Sequence, residues 1–176
     1  CYETIQWNFD SFYTGPLMNL QTVIDLNTSD PGSYSSSGSA GMQMGVAHLL
    51  QVYMYQVMTD RWGAIPYSEA LKGVDNLKPK FDSQKDVYTG MLAQIDAALG
   101  MLDGGGLNGD FMFNGDADKW KRFGNTMKMI MALRMADVDA STAAAKFVEA
   151  HNGGVLAGNA HNVHYPYTAA DDNDNP

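Results

Sequence analysis

Residues Ala40–Trp62 constrain this fold more than any other stretch of the chain. Met42, Val46, Leu49, Leu50, Tyr53 and Val57 recur at helical spacing and mark one face. Met44, Ala47, Met54 and Met58 mark another. A helix apolar over so much of its surface must be covered on more than one side. At its full length it runs about 35 Å, so the chain needs several further helices to cover it. His48, Gln51 and Gln56 interrupt its apolar part, residues 44–58, which is also too short to span a bilayer. A buried core helix is the reading. His48 is read as a hydrogen-bonded histidine, because metal-binding partners at suitable spacing are lacking.

This helix runs into a corner. Residues 59–71 read Thr-Asp-Arg-Trp-Gly-Ala-Ile-Pro-Tyr-Ser-Glu-Ala-Leu. Gly63 permits a break, and Pro66 removes a donor and pushes Ile65 out of helical geometry. Residues 67–71 are expected to form one further helical turn, with Pro66 at its start. Asp60 and Arg61 are expected to fix the corner, and Trp62 and Tyr67 to cap the core.

Four more helices are read around this one. Residues 5–26 carry Ile5, Phe9, Phe12, Tyr13, Leu17, Leu20, Val23 and Ile24 at helical spacing, with a kink or break at Gly15-Pro16. Trp7 sits on the flank of that stripe. Residues 27–39 are loop, rich in Ser, Gly, Asp and Pro. Residues 83–102 present Val87, Met91, Leu92, Ile95, Ala98, Leu99 and Leu102, opened by Ser83 and Asp86 in the manner of a capping box. Residues 109–116 alternate Phe111 and Phe113 and read as a short extended piece. Asp116 or Asp118 then caps a helix to about Ala136, with Trp120, Phe123, Met127, Ile130, Met131 and Arg134 inward. Lys119, Lys121, Arg122 and Lys128 give it a basic, largely solvated face. An Ala-rich helix over 141–150 has Ser141 as its cap. The fold class is therefore all-α, in irregular antiparallel helix pairs of tetratricopeptide-like build.

Composition narrows the function. A chain of 176 residues with 45% hydrophobic content supports one domain with a real core. A formal charge of -9 and no basic run exclude nucleic acid as a partner. The single cysteine, Cys1, excludes an intrachain disulfide. A mature bacterial lipoprotein carries its lipid on such a first Cys, but a polar tether normally comes next. Residues 2–9 read instead as the start of a packed helix, so the chain is taken as a single helical domain, 1–176, lying inside a longer protein. His151, His161 and His164 match no zinc spacing. The run Asp171, Asp172, Asn173, Asp174, Asn175 offers oxygen ligands for calcium. It lacks the central Gly and terminal Glu of the helix-loop-helix calcium motif and reads as a solvated tail. No metal or cofactor is expected.

Four blocks carry a family resemblance: residues 7–17, the corner 59–71, residues 79–88 (Pro-Lys-Phe-Asp-Ser-Gln-Lys-Asp-Val-Tyr) and residues 120–134 (Trp-Lys-Arg-Phe-Gly-Asn-Thr-Met-Lys-Met-Ile-Met-Ala-Leu-Arg). In type, order and separation they are similar to those of the SusD/RagB group of nutrient-binding outer-membrane lipoproteins of Bacteroidetes. The resemblance implies a tetratricopeptide-like scaffold at the cell surface, held by a lipid anchor outside this chain. It also implies a SusC-type TonB-dependent transporter as partner and an oligosaccharide or other nutrient as ligand, captured without catalysis. Family chains are longer, and their ligand contacts vary, so no site residue carries over.

Sugar recognition calls for aromatic faces to stack on pyranose rings. The candidates are Tyr34, Trp62, Tyr67, Tyr165 and Tyr167. Tyr34 stands alone in a polar loop, where it either stacks on a ligand or covers a core edge. Two other functions fit the same fold: a scaffold binding only protein, and an all-α glycoside hydrolase. The hydrolase would need facing carboxylates, and Asp60 with Glu69 is the pair near the corner.

Overall fold

The computed structural model describes residues 9–163. Cys1, Ile5, Trp7, His164, Tyr165, Tyr167 and the acidic run 171–175 lie outside them. The architecture is all-α. The helices are α1 (Phe9–Phe12), α2 (Met18–Ser29), α3 (Ala40–Trp62), α4 (Gln84–Met101), α5 (Ala117–Met135) and α6 (Ala140–Gly153). Among the described residues there is no strand, only the isolated bridges Gly38 to Leu107 and Ile65 to Asp82. No described helix is long and apolar enough to cross a membrane.

The centre of the core is α3, packed against α2 on one side and α4 on another, with α5 touching a third. This is why its apolar residues show no single stripe. Met42, Leu49, Val52 and Met58 are fully buried, and so are Met91 and Ile95 of α4 and Met131 of α5. Helix α3 also buries Gln43, Gln51 and Gln56, and it exposes Tyr53, which its spacing placed inward. Buried amides need partners. Gln43 donates to the carbonyls of Tyr34 and Gly38 at 2.9 Å each and accepts from Asn27 at 3.1 Å, tying the 30–39 loop to α2 and α3. Gln94 of α4 donates to Gln51 at 3.0 Å and lies 3.1 Å from His48 Nδ1. Burial lowers the His48 pKa. At Gly45 the α3 and α4 backbones come so close that an added Cβ would lie 3.0 Å from the Ala98 carbonyl oxygen.

The N-terminal segment is interrupted at Gly15-Pro16, as its sequence indicates, and forms two α-helices, α1 and α2. One π-helical turn, Tyr13–Leu17, absorbs Pro16 and joins α1 to α2. A wider turn accommodates a residue without an N–H donor. Ser39, Ser83, Asp116 and Asp139 cap α3, α4, α5 and α6. The last of these replaces Ser141, because the helix starts one residue earlier than its Ala-rich pattern indicates. At α4 the Ser83 hydroxyl accepts from the Asp86 N–H and donates to the Asp86 carboxylate at 2.7 Å.

Residues 109–116 are a turn and not an extended piece. The carboxylate of Asp110 gathers the N–H groups of Met112, Phe113 and Gly115 and the indole N–H of Trp120, the last at 2.7 Å. Local hydrogen bonding of this kind outcompetes a strand that has no neighbour to pair with. Helix α5 is also rotated relative to its apolar pattern. Ile130 and Arg134 face outward, while Lys128, only 2% exposed, lies inside.

Candidate functional site

Three features bear on function: the corner, a cleft beyond it, and the exposed aromatics. The corner is held by Asp82, a residue outside block 59–71. Its backbone pairs with Ile65 in both directions, at 2.9 and 3.2 Å. Its carboxylate accepts from the N–H groups of Tyr67 and Ser68, at 3.1 and 2.7 Å, and from the Ser68 hydroxyl at 2.9 Å. Burial pushes the Asp82 carboxyl up, but the Ser68 and Tyr67 donors and the Lys80 ammonium outweigh it and hold it below the ordinary value. Residues 67–71 do not form a helical turn: a β-turn from Tyr67 to Ala70 forms instead, and Leu71 adopts a φ of 61°, which a right-handed helix does not allow.

Trp62 and Tyr67 are packed into this corner. Trp62 lies edge-on to Phe9 and Phe12, with ring centroids at 5.1 and 5.9 Å. The Tyr67 ring meets Tyr55 at 4.9 Å, and its hydroxyl donates to Gln94 at 2.9 Å. Burial, aided by the Asp82 charge, pushes the Tyr67 phenol up to about 12. Tyr34 stands in the 30–39 loop and is 37% exposed. Among the described residues, exposed aromatics outside the sequence-based candidates are Tyr53, Phe81, Phe111 and Phe147. Phe81 stacks on Phe9 at 6.4 Å, with the rings 6° apart.

Asp60 does not fix the corner. It accepts from the Tyr88 hydroxyl of α4 at 2.5 Å and pairs with Arg134 of α5. Asp60 and Glu69 also turn to different partners. Glu69 engages Asn76 and Lys80. Asp60→Ala is expected to lower stability by about 1–2 kcal/mol, because Arg134 is half exposed and its pair is screened. A double-mutant cycle with Arg134→Ala measures the coupling; a value near zero would show that the pair contributes nothing to stability.

Beyond the Asp60 cluster, α4 and the α5–α6 hairpin diverge around a cleft of about 740 Å³. Leu92, Ala93, Met135 and Val138 give it an apolar lining. One end carries Asp60, Tyr88 and Arg134, and the other carries Asp96 and Lys146. Lys146 donates to Asp96 and to Glu149 at 2.9 Å each. The buried Lys128 ammonium sits 2.5 Å from both Asp96 and Glu149. Burial pushes the Asp96 carboxyl up, but the two lysines outweigh it and lower it. The basic face read on α5 is thus partly an internal ion-pair cluster. The sequence offered no signal for the cleft, whose walls come from residues up to 86 positions apart, Asp60 to Lys146.

Among the described residues no group of three His, Cys, Asp or Glu side chains is placed to hold a metal ion. His161, one of the three histidines considered for zinc, accepts from the Ala157 N–H through Nδ1 at 3.0 Å.

The SusD-like family described as "Starch-binding associating with outer membrane" matches residues 2–176. No curated protein matches the chain significantly. Among solved structures, a chitin-binding protein is similar at 27% identity and a TM-score of 0.76, over 92% of this chain and 35% of its own. A chitin-binding SusD homologue from Flavobacterium johnsoniae is 27% identical, with a TM-score of 0.69, over 88% and 33%. A SusD homologue from Bacteroides uniformis is 25% identical, with a TM-score of 0.73, over 88% and 31%. The chain thus spans about a third of the length of the structures it matches. With the family matched from end to end and the helical fold shared, this chain belongs to the SusD-like family.

Proposed function

We propose that residues 1–176 are a single helical unit of a longer, surface-exposed outer-membrane protein that captures glycans and passes them to a SusC-type TonB-dependent transporter. The longer protein carries the lipid anchor and performs no chemistry on its ligand. The observation that carries this reading is the likeness, at 27% identity over about nine-tenths of the chain, to two proteins described as chitin-binding. The separate engagement of Asp60 and Glu69 supports capture over hydrolysis. Tyr34, Trp62, Tyr67, Tyr165 and Tyr167 are the proposed aromatic contacts. Tyr34 leads them, since Trp62 and Tyr67 already serve the corner.

The test is calorimetric titration of the full-length protein with chito- and malto-oligosaccharides, followed by chromatography of the recovered sugar. Binding of at least one series, with the sugar recovered intact, is the expected result. Shortened products would turn the reading to a hydrolase. No binding to any glycan, with a transporter still recovered in a pull-down, would replace it with a protein-binding scaffold.

A further inference from the structure

The cleft between α4 and the α5–α6 hairpin has the chemistry of a ligand site, and no comparison assigns it a role. Its volume, about 740 Å³, lies in the range of small-molecule sites. Its two polar ends, Tyr88 and Asp96, are eight residues apart on α4, which sets them about 12 Å from one another. Between them the lining is aliphatic, through Leu92, Ala93, Met135 and Val138.

The charges decide what fits. Asp60, Asp96 and Asp139 face the cleft, as do Lys85, Arg134 and Lys146, so the walls balance to zero in a chain of charge -9. A charged ligand gains nothing net from such walls and loses its hydration. Hydrogen-bonding capacity nevertheless remains. Arg134 offers five N–H donors, and its pair with Asp60 runs through one nitrogen, Nη1. Lys85 makes no ion pair among the described residues. Gln84 donates its amide to the Thr59 carbonyl at 2.8 Å, which leaves its own carbonyl to accept. A neutral ligand with many hydroxyls both donates and accepts, and its C–H faces suit the aliphatic strip between the ends.

We propose that this cleft is a binding site for a neutral oligosaccharide segment. The proposal rests on the glycan-capture reading and places one contact region of that capture within this chain. Lys85, Gln84 and Arg134 meet the sugar hydroxyls, and Ala93 and Val138 support the ring.

Ala93 is exposed on the cleft wall, so Ala93→Trp fills the space without touching the core. Lys85→Ala removes a donor that stands outside the ion pairs. Both are made in the full-length protein and titrated with chito- and malto-oligosaccharides, with thermal unfolding as the folding control. Ala93→Trp is expected to weaken the binding seen in wild type by about tenfold or more, and Lys85→Ala by about threefold, with unfolding temperatures unchanged. If Ala93→Trp binds sugar as wild type does, the cleft is not the site, although glycan capture stands. If that variant instead loses a transporter in a pull-down, the cleft docks protein and the proposal fails. If wild type binds neither series, the proposal falls together with the reading beneath it.

Discussion

Asp82→Ala is expected to destabilise the protein by about 3–5 kcal/mol in urea unfolding, the cost of breaking a buried, charged hydrogen-bond cluster. The Asp82 side chain is only 8% exposed, and it accepts three hydrogen bonds from Tyr67 and Ser68. Its removal strands two backbone N–H groups at the turn just after Pro66. Asp82→Asn keeps one acceptor oxygen and is expected to cost roughly half as much. The pH dependence has a definite sign. A carboxyl held below its unfolded value contributes its full stability above about pH 3.9 and loses it as the pH falls through the lower folded value. Wild type should therefore lose stability in strong acid more steeply than Asp82→Asn does. A loss under about 1 kcal/mol for Asp82→Ala would mean that water replaces the carboxylate and that the corner is held elsewhere.

Trp120→Ala is expected to cost about 3–5 kcal/mol, since it empties a large volume from the core. The indole is 1% exposed and lies edge-on to Phe113 and Phe123, with centroids at 5.0 and 5.5 Å. Its N–H also completes the set of donors around Asp110. Trp120→Phe keeps an aromatic ring but leaves that carboxylate one donor short, for about 1–2 kcal/mol plus the lost volume. Denaturant unfolding of the two variants separates packing from hydrogen bonding. Equal losses would assign the effect to what both variants lack, the indole N–H and the volume of the second ring.

Helix α3 was legible because its apolar spacing is long and one end is a chemical stop: Gly63 adopts a positive φ there, while the Ser39 cap at the other end was not read from the sequence. The Gly-Pro corner and the Ser83 cap were legible for the same reason, and Asp116 was one of the two caps that the sequence offered for α5. Where a position depends on a partner far along the chain, spacing was a poor guide. Asp82 sits in a loop whose pattern says nothing of Tyr67. Lys128 reads as a surface cation until Asp96 and Glu149 are seen on either side of it. Tyr53 reads as core because spacing cannot tell which faces of a many-sided helix find neighbours. For the candidate site, the packing of Trp62 and Tyr67 into the corner was legible, but their individual partners, Phe9, Phe12, Tyr55 and Gln94, were not. The cleft arises from the divergence of α4 and the α5–α6 hairpin, which no local pattern encodes.

The π-helical turn at Tyr13–Leu17 gives the chain an unusual profile of tolerance to length changes. Loops ordinarily absorb a deleted residue better than helices do. Here the wide turn holds one residue more than a regular helix would, so deleting one residue there would restore ordinary α-geometry and leave the phase of everything before it unchanged. Phe9 and Phe12 would keep facing Trp62. Forcing regular α-geometry without removing a residue would instead rotate them by about 100° and draw Tyr13 from the Pro66 carbonyl that its hydroxyl reaches at 2.7 Å.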